Sequence, residues 1–186
     1  MVLSKLAQEV SDALVATVKG TDDVLSALRG AVKNQVTGAL KDVTDMATAG
    51  LDAVSDVVHG SVSAASQVGA SLTDAVKDTV SSAVQGVSEV GGDVLAAASK
   101  AAHGAVAGAA DVGGDVAQVA VSAVEGAVEA AGSVGASTVD AAREAAVGAV
   151  KAADEVSDEV GKSVREALMA AASLPRDVIE KVVKGS

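Results

Sequence analysis

The chain has 186 residues and a formal net charge of −11, from 14 Lys and Arg against 25 Asp and Glu. This balance argues against nucleic-acid binding, because neutralising phosphates requires clustered positive charge. The chain contains no Phe, Tyr or Trp and a single Pro. It also contains no Cys, which excludes disulfide scaffolds and thiolate metal sites. A core must therefore be built from Val, Leu and Ala rather than from the aromatic side chains that bury the most area.

The beginning of the chain, Met1-Val-Leu-Ser-Lys-Leu-Ala, lacks the charged start and apolar core of a secretory signal. Charge-free stretches such as residues 57–73 are shorter than the roughly 20 apolar residues that a spanning helix needs. We therefore expect an intracellular protein without a transmembrane span, either soluble or peripheral to a lipid surface.

A 22-residue repeat runs along the chain. Its full units are residues 17–38, 39–60, 61–82, 83–104, 105–126, 127–148 and 149–170, after a partial first copy at residues 1–16. The second and eighth positions of the units are mostly aliphatic and supply a predicted apolar contact stripe of Leu40, Val62, Val68, Val84, Val90, Val106, Val112, Val128, Val134, Val150 and Val156. A repeat of this length determines the fold class, because each unit must bury its apolar face against a neighbour.

The spacing within a unit is helical. Val84, Val87 and Val90 follow each other in steps of three, and the charged Glu89 and Asp93 lie one helical turn apart on another side. Six turns in 22 residues correspond to about 3.67 residues per turn, which keeps an apolar stripe on one side with a slight right-handed supercoil. The sequence predicts an all-α fold of tandem amphipathic repeats, forming long helices or an elongated helical bundle with a right-handed or near-straight stripe.

Two regions follow from this pattern. Residues 1–170 are predicted to form one continuous repeat region, and residues 171–186 a short C-terminal helix after Pro175, which suits a first helical turn. Gly91-Gly92 and Gly113-Gly114 lie in identical Val-Gly-Gly-Asp-Val pentapeptides. Each interior glycine costs a helix about 1 kcal/mol, so these pairs are predicted to be hinges or points where another backbone comes close.

The residues that carry chemistry do not form a recognisable site. His59 and His103 occupy the same position in units two apart, but no further donors stand at metal-ligand spacing, and both are predicted to be shoulder positions of an amphipathic helix. The serines have no accompanying His-Asp arrangement. The sequence therefore predicts a non-enzymatic protein without a metal site or cofactor.

Three short segments, Val57-Val58-His59-Gly60, Val90-Gly91-Gly92 and Val124-Glu125-Gly126-Ala127, are similar to synuclein sequences. The period resembles that of the exchangeable apolipoprotein, perilipin and synuclein class over nearly the whole chain. The resemblance implies amphipathic helices that fold on lipid. The chain departs from synucleins by its acidic charge and from apolipoproteins by carrying Gly in place of Pro, which favours a neutral lipid surface.

The sequence thus suggests a non-enzymatic protein that coats a lipid or other apolar surface with its stripe. The alternative is a structural protein that assembles with copies of itself into a helical bundle or filament through Val, Ala and Gly, and is a homo-oligomer when lipid is absent. A stress-protective repeat protein is the third candidate. All three assume that one 22-residue unit buries too little apolar area to order itself.

Overall fold

The computed structural model describes residues 21–42 and 49–185, so the partial first copy at residues 1–16 lies outside it. Its helices are α1 Thr21–Asp42, α2 Ala49–Gln67, α3 Leu72–Glu89, α4 Val94–Asp111, α5 Val116–Ser133, α6 Thr138–Val156, α7 Asp158–Ala170 and α8 Arg176–Gly185. These ranges contain no strand, and the prediction of an all-α fold is confirmed. Of the two forms expected, the described part of the chain takes the bundle.

The repeating length is one helix plus one turn. Helices α3 to α6 begin at residues 72, 94, 116 and 138, one every 22 residues, and α3, α4 and α5 each contain 18 residues. The four remaining residues form a turn in which the chain changes from one helix to the next. A continuous amphipathic helix therefore does not run through the units.

The Val-Gly-Gly-Asp-Val segments form two of these turns. Gly113 has φ +68°, and its N–H donates to the carbonyl of Ala110, while the Gly114 N–H donates to the carbonyl of Ala109 at 2.8 Å. This is the Schellman pattern that ends helices at a left-handed glycine. Asp115 then accepts a hydrogen bond from the Gln118 N–H at 3.1 Å and caps α5. The pentapeptide thus stops one helix and starts the next.

Helices α1 to α6 each pack most extensively against a second neighbour in the chain. The strongest contacts join α2 to α4, α4 to α6, α1 to α3 and α3 to α5. Helices α2, α4 and α6 therefore form one layer and α1, α3, α5 and α7 the other, with α8 against the end of the first layer. This is the arrangement of an α-solenoid, in which each repeat contacts only its near neighbours.

Helices within a layer run parallel and touch at glycines. The backbone of α2 meets Gly104 of α4 at Ser55 and Gly108 at His59, so that both helices advance in the same direction. A Cβ atom at Gly104 would overlap the Ser55 carbonyl oxygen, and one at Gly126 would lie 2.5 Å from the Lys77 carbonyl oxygen. Only glycine allows so close an approach.

Ion pairs also join second neighbours. They are Arg29–Asp78 (2.7 Å), Lys33–Glu89 (2.5 Å), Lys100–Asp52 (2.6 Å) and Lys77–Glu129 (3.3 Å), and the polar contacts His59–Asp111 (2.9 Å) and His103–Glu155 (3.0 Å) join second neighbours in the same way. Exposed pairs of this kind contribute about 0–1 kcal/mol each. Their main effect is to favour one alignment of the stacked helices. The core beneath them consists mostly of Ala and Val.

The close helix contact can be tested by adding one methyl group. We expect Gly104→Ala to lower the free energy of unfolding by about 1–3 kcal/mol, because the new Cβ displaces the α2 backbone. Gly38→Ala is the matched control. It stands at the same repeat position in α1 with nothing within 4 Å of its Cβ, and should stabilise the protein by about 0.5–1 kcal/mol. Urea unfolding followed by circular dichroism measures both, and equal effects would contradict the contact.

The turn can be tested in the same way. Gly113→Ala places a side chain on a left-handed residue and should cost about 1–2 kcal/mol. Gly132, in the last turn of α5, has a Cβ position 3.5 Å from Thr138 Cγ2, an ordinary contact. Gly132→Ala should leave stability unchanged or slightly raised, and a loss as large as that of Gly113→Ala would argue against the left-handed turn.

Candidate binding site at the edge of the helical stack

Helix α6 forms an incompletely covered edge of its layer. One side packs on α4, whereas the other meets α8, which has only ten residues. Within residues 25–42 and 50–185, the large apolar side chains that are exposed all lie on α6: Val139 (52%), Val147 (43%) and Val156 (46%). Of these three, Val147 faces the side of α6 that meets α8.

A groove of about 690 Å³ lies between α6 and α8. Its apolar wall contains Val147, Val150 and Val182, and the basic side chains that line it are Arg143, Lys151 and Lys181. The volume falls within the range of roughly 300–1,000 Å³ that is usual for ligand sites.

Both carboxylates that line the groove are already paired. Asp154 accepts two hydrogen bonds of 2.7 Å from the Arg165 guanidinium, and Glu155 lies 3.0 Å from His103 Nε2. The Arg165 hydrogen bonds hold the pKa of Asp154 below its ordinary value. These two negative charges are thus engaged within the protein.

The basic side chains are less fully engaged. Arg143 lies 3.2 Å from Asp140 Oδ1 and 3.5 Å from Glu144 Oε1, with about half of its side chain exposed. Lys151 and Lys181 make no ion pair within the described part of the chain. In a strongly acidic protein, the groove therefore offers positive charge beside an apolar surface.

The predicted contact stripe is distributed over three environments. Leu40, Val62, Val84, Val106 and Val150 are buried in the core, Val68, Val90, Val112, Val128 and Val134 are partly buried, and Val156 is exposed. The second repeat position faces neighbouring helices, whereas Val90, Val112 and Val134 are the C-caps of α3, α4 and α5. Val150 is the stripe residue that also lines the groove.

The four singled-out glycines lie in turns. Gly91 and Gly113 have φ of +73° and +68°. A Cβ at Gly92 would lie 2.7 Å from Val87 Cγ1, and one at Gly114 would lie 2.6 Å from Leu72 Cδ1. The first glycine of each pair thus supplies the left-handed conformation and the second provides space for an apolar neighbour.

His59 and His103 are partly exposed and join successive helices of one layer through Asp111 and Glu155. Residues 21–42 and 49–185 contain no group of three or more side chains suited to holding a metal ion. None of the helices in these ranges is long and apolar enough to cross a membrane.

Sequence reasoning did not identify the groove as a site. A signal was present, because Val147 stands where the units 44 and 88 residues earlier carry His103 and His59. The five earlier units carry Thr37, His59, Ser81, His103 and Glu125 in this column, so Val147 is its first apolar residue. Its meaning becomes clear only once α6 is placed at the edge of its layer.

No family model, curated protein or solved structure matches this chain.

The Asp154–Arg165 pair gives a pH-dependent prediction. Because the folded-state pKa of Asp154 is lowered, the pair stabilises the protein above the unfolded-state pKa, and this contribution is lost as pH falls through the folded-state pKa. Asp154→Asn should cost less than about 1 kcal/mol at pH 7, since the pair is exposed, and less than that at pH 2. Unfolding in urea at the two pH values measures the difference.

Glu166→Gln is the control for this substitution, because its carboxylate lies 4.0 Å from Lys162 rather than 2.7 Å. A cost of Asp154→Asn that stays constant between pH 7 and pH 2 would contradict the role given to the pair.

Proposed function

We propose that the protein is a non-enzymatic helical scaffold, which holds a stack of short helices in fixed register and makes contacts with other molecules at its open edge. One observation carries this proposal. The apolar positions that would have to face a partner surface are instead buried against other helices of the same chain, as Val62, Val84 and Val106 are at 0% exposure.

The packing between second neighbours supports a scaffold of defined shape. Glycine contacts repeat at one spacing in both layers, as Ser55–Gly104 and Lys77–Gly126 do, and polar pairs do so as well, as His59–Asp111 and Lys77–Glu129 do. Side chains of Ala and Val have few rotamers, so their burial loses little conformational entropy. An intracellular location, expected from the sequence, belongs to this proposal.

Coating of a lipid surface is the second candidate, and the small size of the core side chains favours it. Burial of Ala contributes far less than burial of Leu or Phe, and Thr79 Oγ1 and Asp56 Oδ2 are buried without a hydrogen-bond partner in the described residues. Opening at the left-handed glycines would release whole helices whose apolar faces could lie on lipid. In that case Val62, Val84 and Val106 would move from the core to the lipid.

A zero-length carbodiimide crosslinker distinguishes the two candidates without any mutation. It joins an amine to a carboxylate in direct contact, so the stack should yield Lys100–Asp52 in one layer and Lys77–Glu129 in the other. We expect both crosslinks in buffer and with vesicles of neutral phospholipid, with the same helical circular dichroism at every dilution. Mass spectrometry measures the crosslink yields.

Loss of both crosslinks on vesicles, with helix retained, would reject the scaffold and establish the lipid coat. Lys184–Glu180, within α8, is the internal control because it should survive opening of the stack. Light scattering on the same samples measures the mass. Helix that disappears on dilution together with a fall in mass would instead indicate self-assembly, and would also reject a scaffold that is ordered as a single chain.

A further inference from the structure

We propose that the groove between α6 and α8 binds an acidic amphipathic helix of another protein, which lies parallel to α6 beside the short α8. The partner helix would carry a small residue against the backbone at Arg143 and a carboxylate three residues later. This inference rests on the proposed scaffold function and names the partner of its open edge.

The expected partner sequence comes from a rule that the stack itself follows. The carbonyl of Lys77 faces Gly126, and Lys77 Nζ lies 3.3 Å from the carboxylate of Glu129, three residues after that glycine. In the other layer the carbonyl of His59 faces Gly108, and His59 Nε2 lies 2.9 Å from Asp111, again three residues later. A basic residue is thus covered by a helix with glycine and then an acid.

Arg143 occupies on α6 the repeat position that Lys77 occupies on α3, three units earlier. Its exposed guanidinium and the exposed Val147 one turn later form the surface on which the next helix of the layer would lie. Lys151, a further turn on, corresponds to Gln85, whose side chain donates to Ser133 Oγ of the covering helix at 3.4 Å. The edge therefore continues an interface already present twice in the fold.

Charge rules out the simplest alternative, a second copy docked through the same helix. In an antiparallel pair of α6 helices centred on Val147, Arg143 of one copy would face Lys151 of the other, and Asp140 would face Asp154. Like charges placed opposite each other are destabilising. The middle helices of a second copy are covered on both sides within their own layers, as α4 is by α2 and α6. Within the described residues α1, α2 and α7 each have one neighbour in their layer, but the residues three positions after their glycines Gly38, Gly60 and Gly161 are not acidic, being Lys41, Ser63 and Val164.

The groove also has the size and chemistry of a helix-docking surface. Helices that bind in grooves insert only the side chains of one face, at spacings of three, four and seven residues, and these fill part of about 690 Å³. Val147 is exposed to the apolar face of such a helix, above the nearly buried Val150 and Val182. Arg143, Lys151 and Lys181 lie beside it, where they can pair with carboxylates of the partner.

The probe is a fluorescein-labelled peptide with the sequence of residues 116–133, which contains Gly126 and Glu129 at the required spacing. Fluorescence anisotropy against the full chain should show saturable binding.

Arg143→Glu in the protein should raise the Kd at least tenfold, and a peptide with Glu129→Lys should recover the affinity for that variant. Val147→Asp should weaken both peptides. Lys162→Glu on α7, whose side chain is 78% exposed and lies outside the groove, is the matched control and should change nothing.

Binding that is absent, or that Arg143→Glu and Val147→Asp leave unchanged, would overturn the proposal. The proposal would also be overturned if Arg143→Glu and Val147→Asp abolished binding of the fluorescent fatty acid cis-parinaric acid but left peptide binding intact. That result would mean that the groove holds lipid. A chain that dimerises in light scattering and becomes monomeric with Val147→Asp would identify a second copy as the occupant. The Lys100–Asp52 crosslink is measured in each variant, so that a failed partner is distinguished from a failed scaffold.

Discussion

The structure depends on how closely parallel helices approach each other at glycine. At Gly104, Gly126 and Gly148 the backbone of the helix two positions earlier occupies the space that a Cβ atom would need. Helices at this separation can be joined by Ala and Val alone, because larger side chains would hold them apart. The core of the described residues accordingly consists mostly of Ala and Val. The close approach also explains why each helix contacts its second neighbour more extensively than the helix that follows it in the chain.

The close approach of parallel helices also brings charged side chains of neighbouring helices within contact distance. It therefore determines which apolar and basic groups remain uncovered on α6, at the end of the layer. Each interior helix is covered on both sides, so its stripe and its basic side chains are satisfied internally. Helix α6 lacks a full-length successor, because the chain continues through the shorter α7 and the ten-residue α8. The apolar and basic groups at this edge therefore result from the ending of a repeated interface, and the local sequence adapts to it with Arg143 and Val147 in place of Ser99 and His103.

The helical periodicity of Val84, Val87 and Val90 was sufficient to predict the fold class. It was not sufficient to predict where helices end, because the four-residue turn preserves the spacing of the stripe from one unit to the next. The local signals for the turn were nevertheless present: Gly113 at the position after the helix and Asp115 as the following N-cap. The pairing of second neighbours, and with it the exposed edge of α6, depends on contacts about 50 residues apart in the chain, for which a single sequence carries no local signal.

The alternation of the two layers means that the chain can change in length only in certain steps. Loss or gain of two consecutive helices, 44 residues, would leave every remaining helix in its own layer, and histidine would still meet a carboxylate as His59 and His103 do. A change of one helix would move all later helices to the opposite layer and direction, so that Ser81 or Glu125 would stand where a histidine is needed. The chain can therefore gain or lose helices only in pairs without disturbing the two layers, although the sequence itself repeats at half that length.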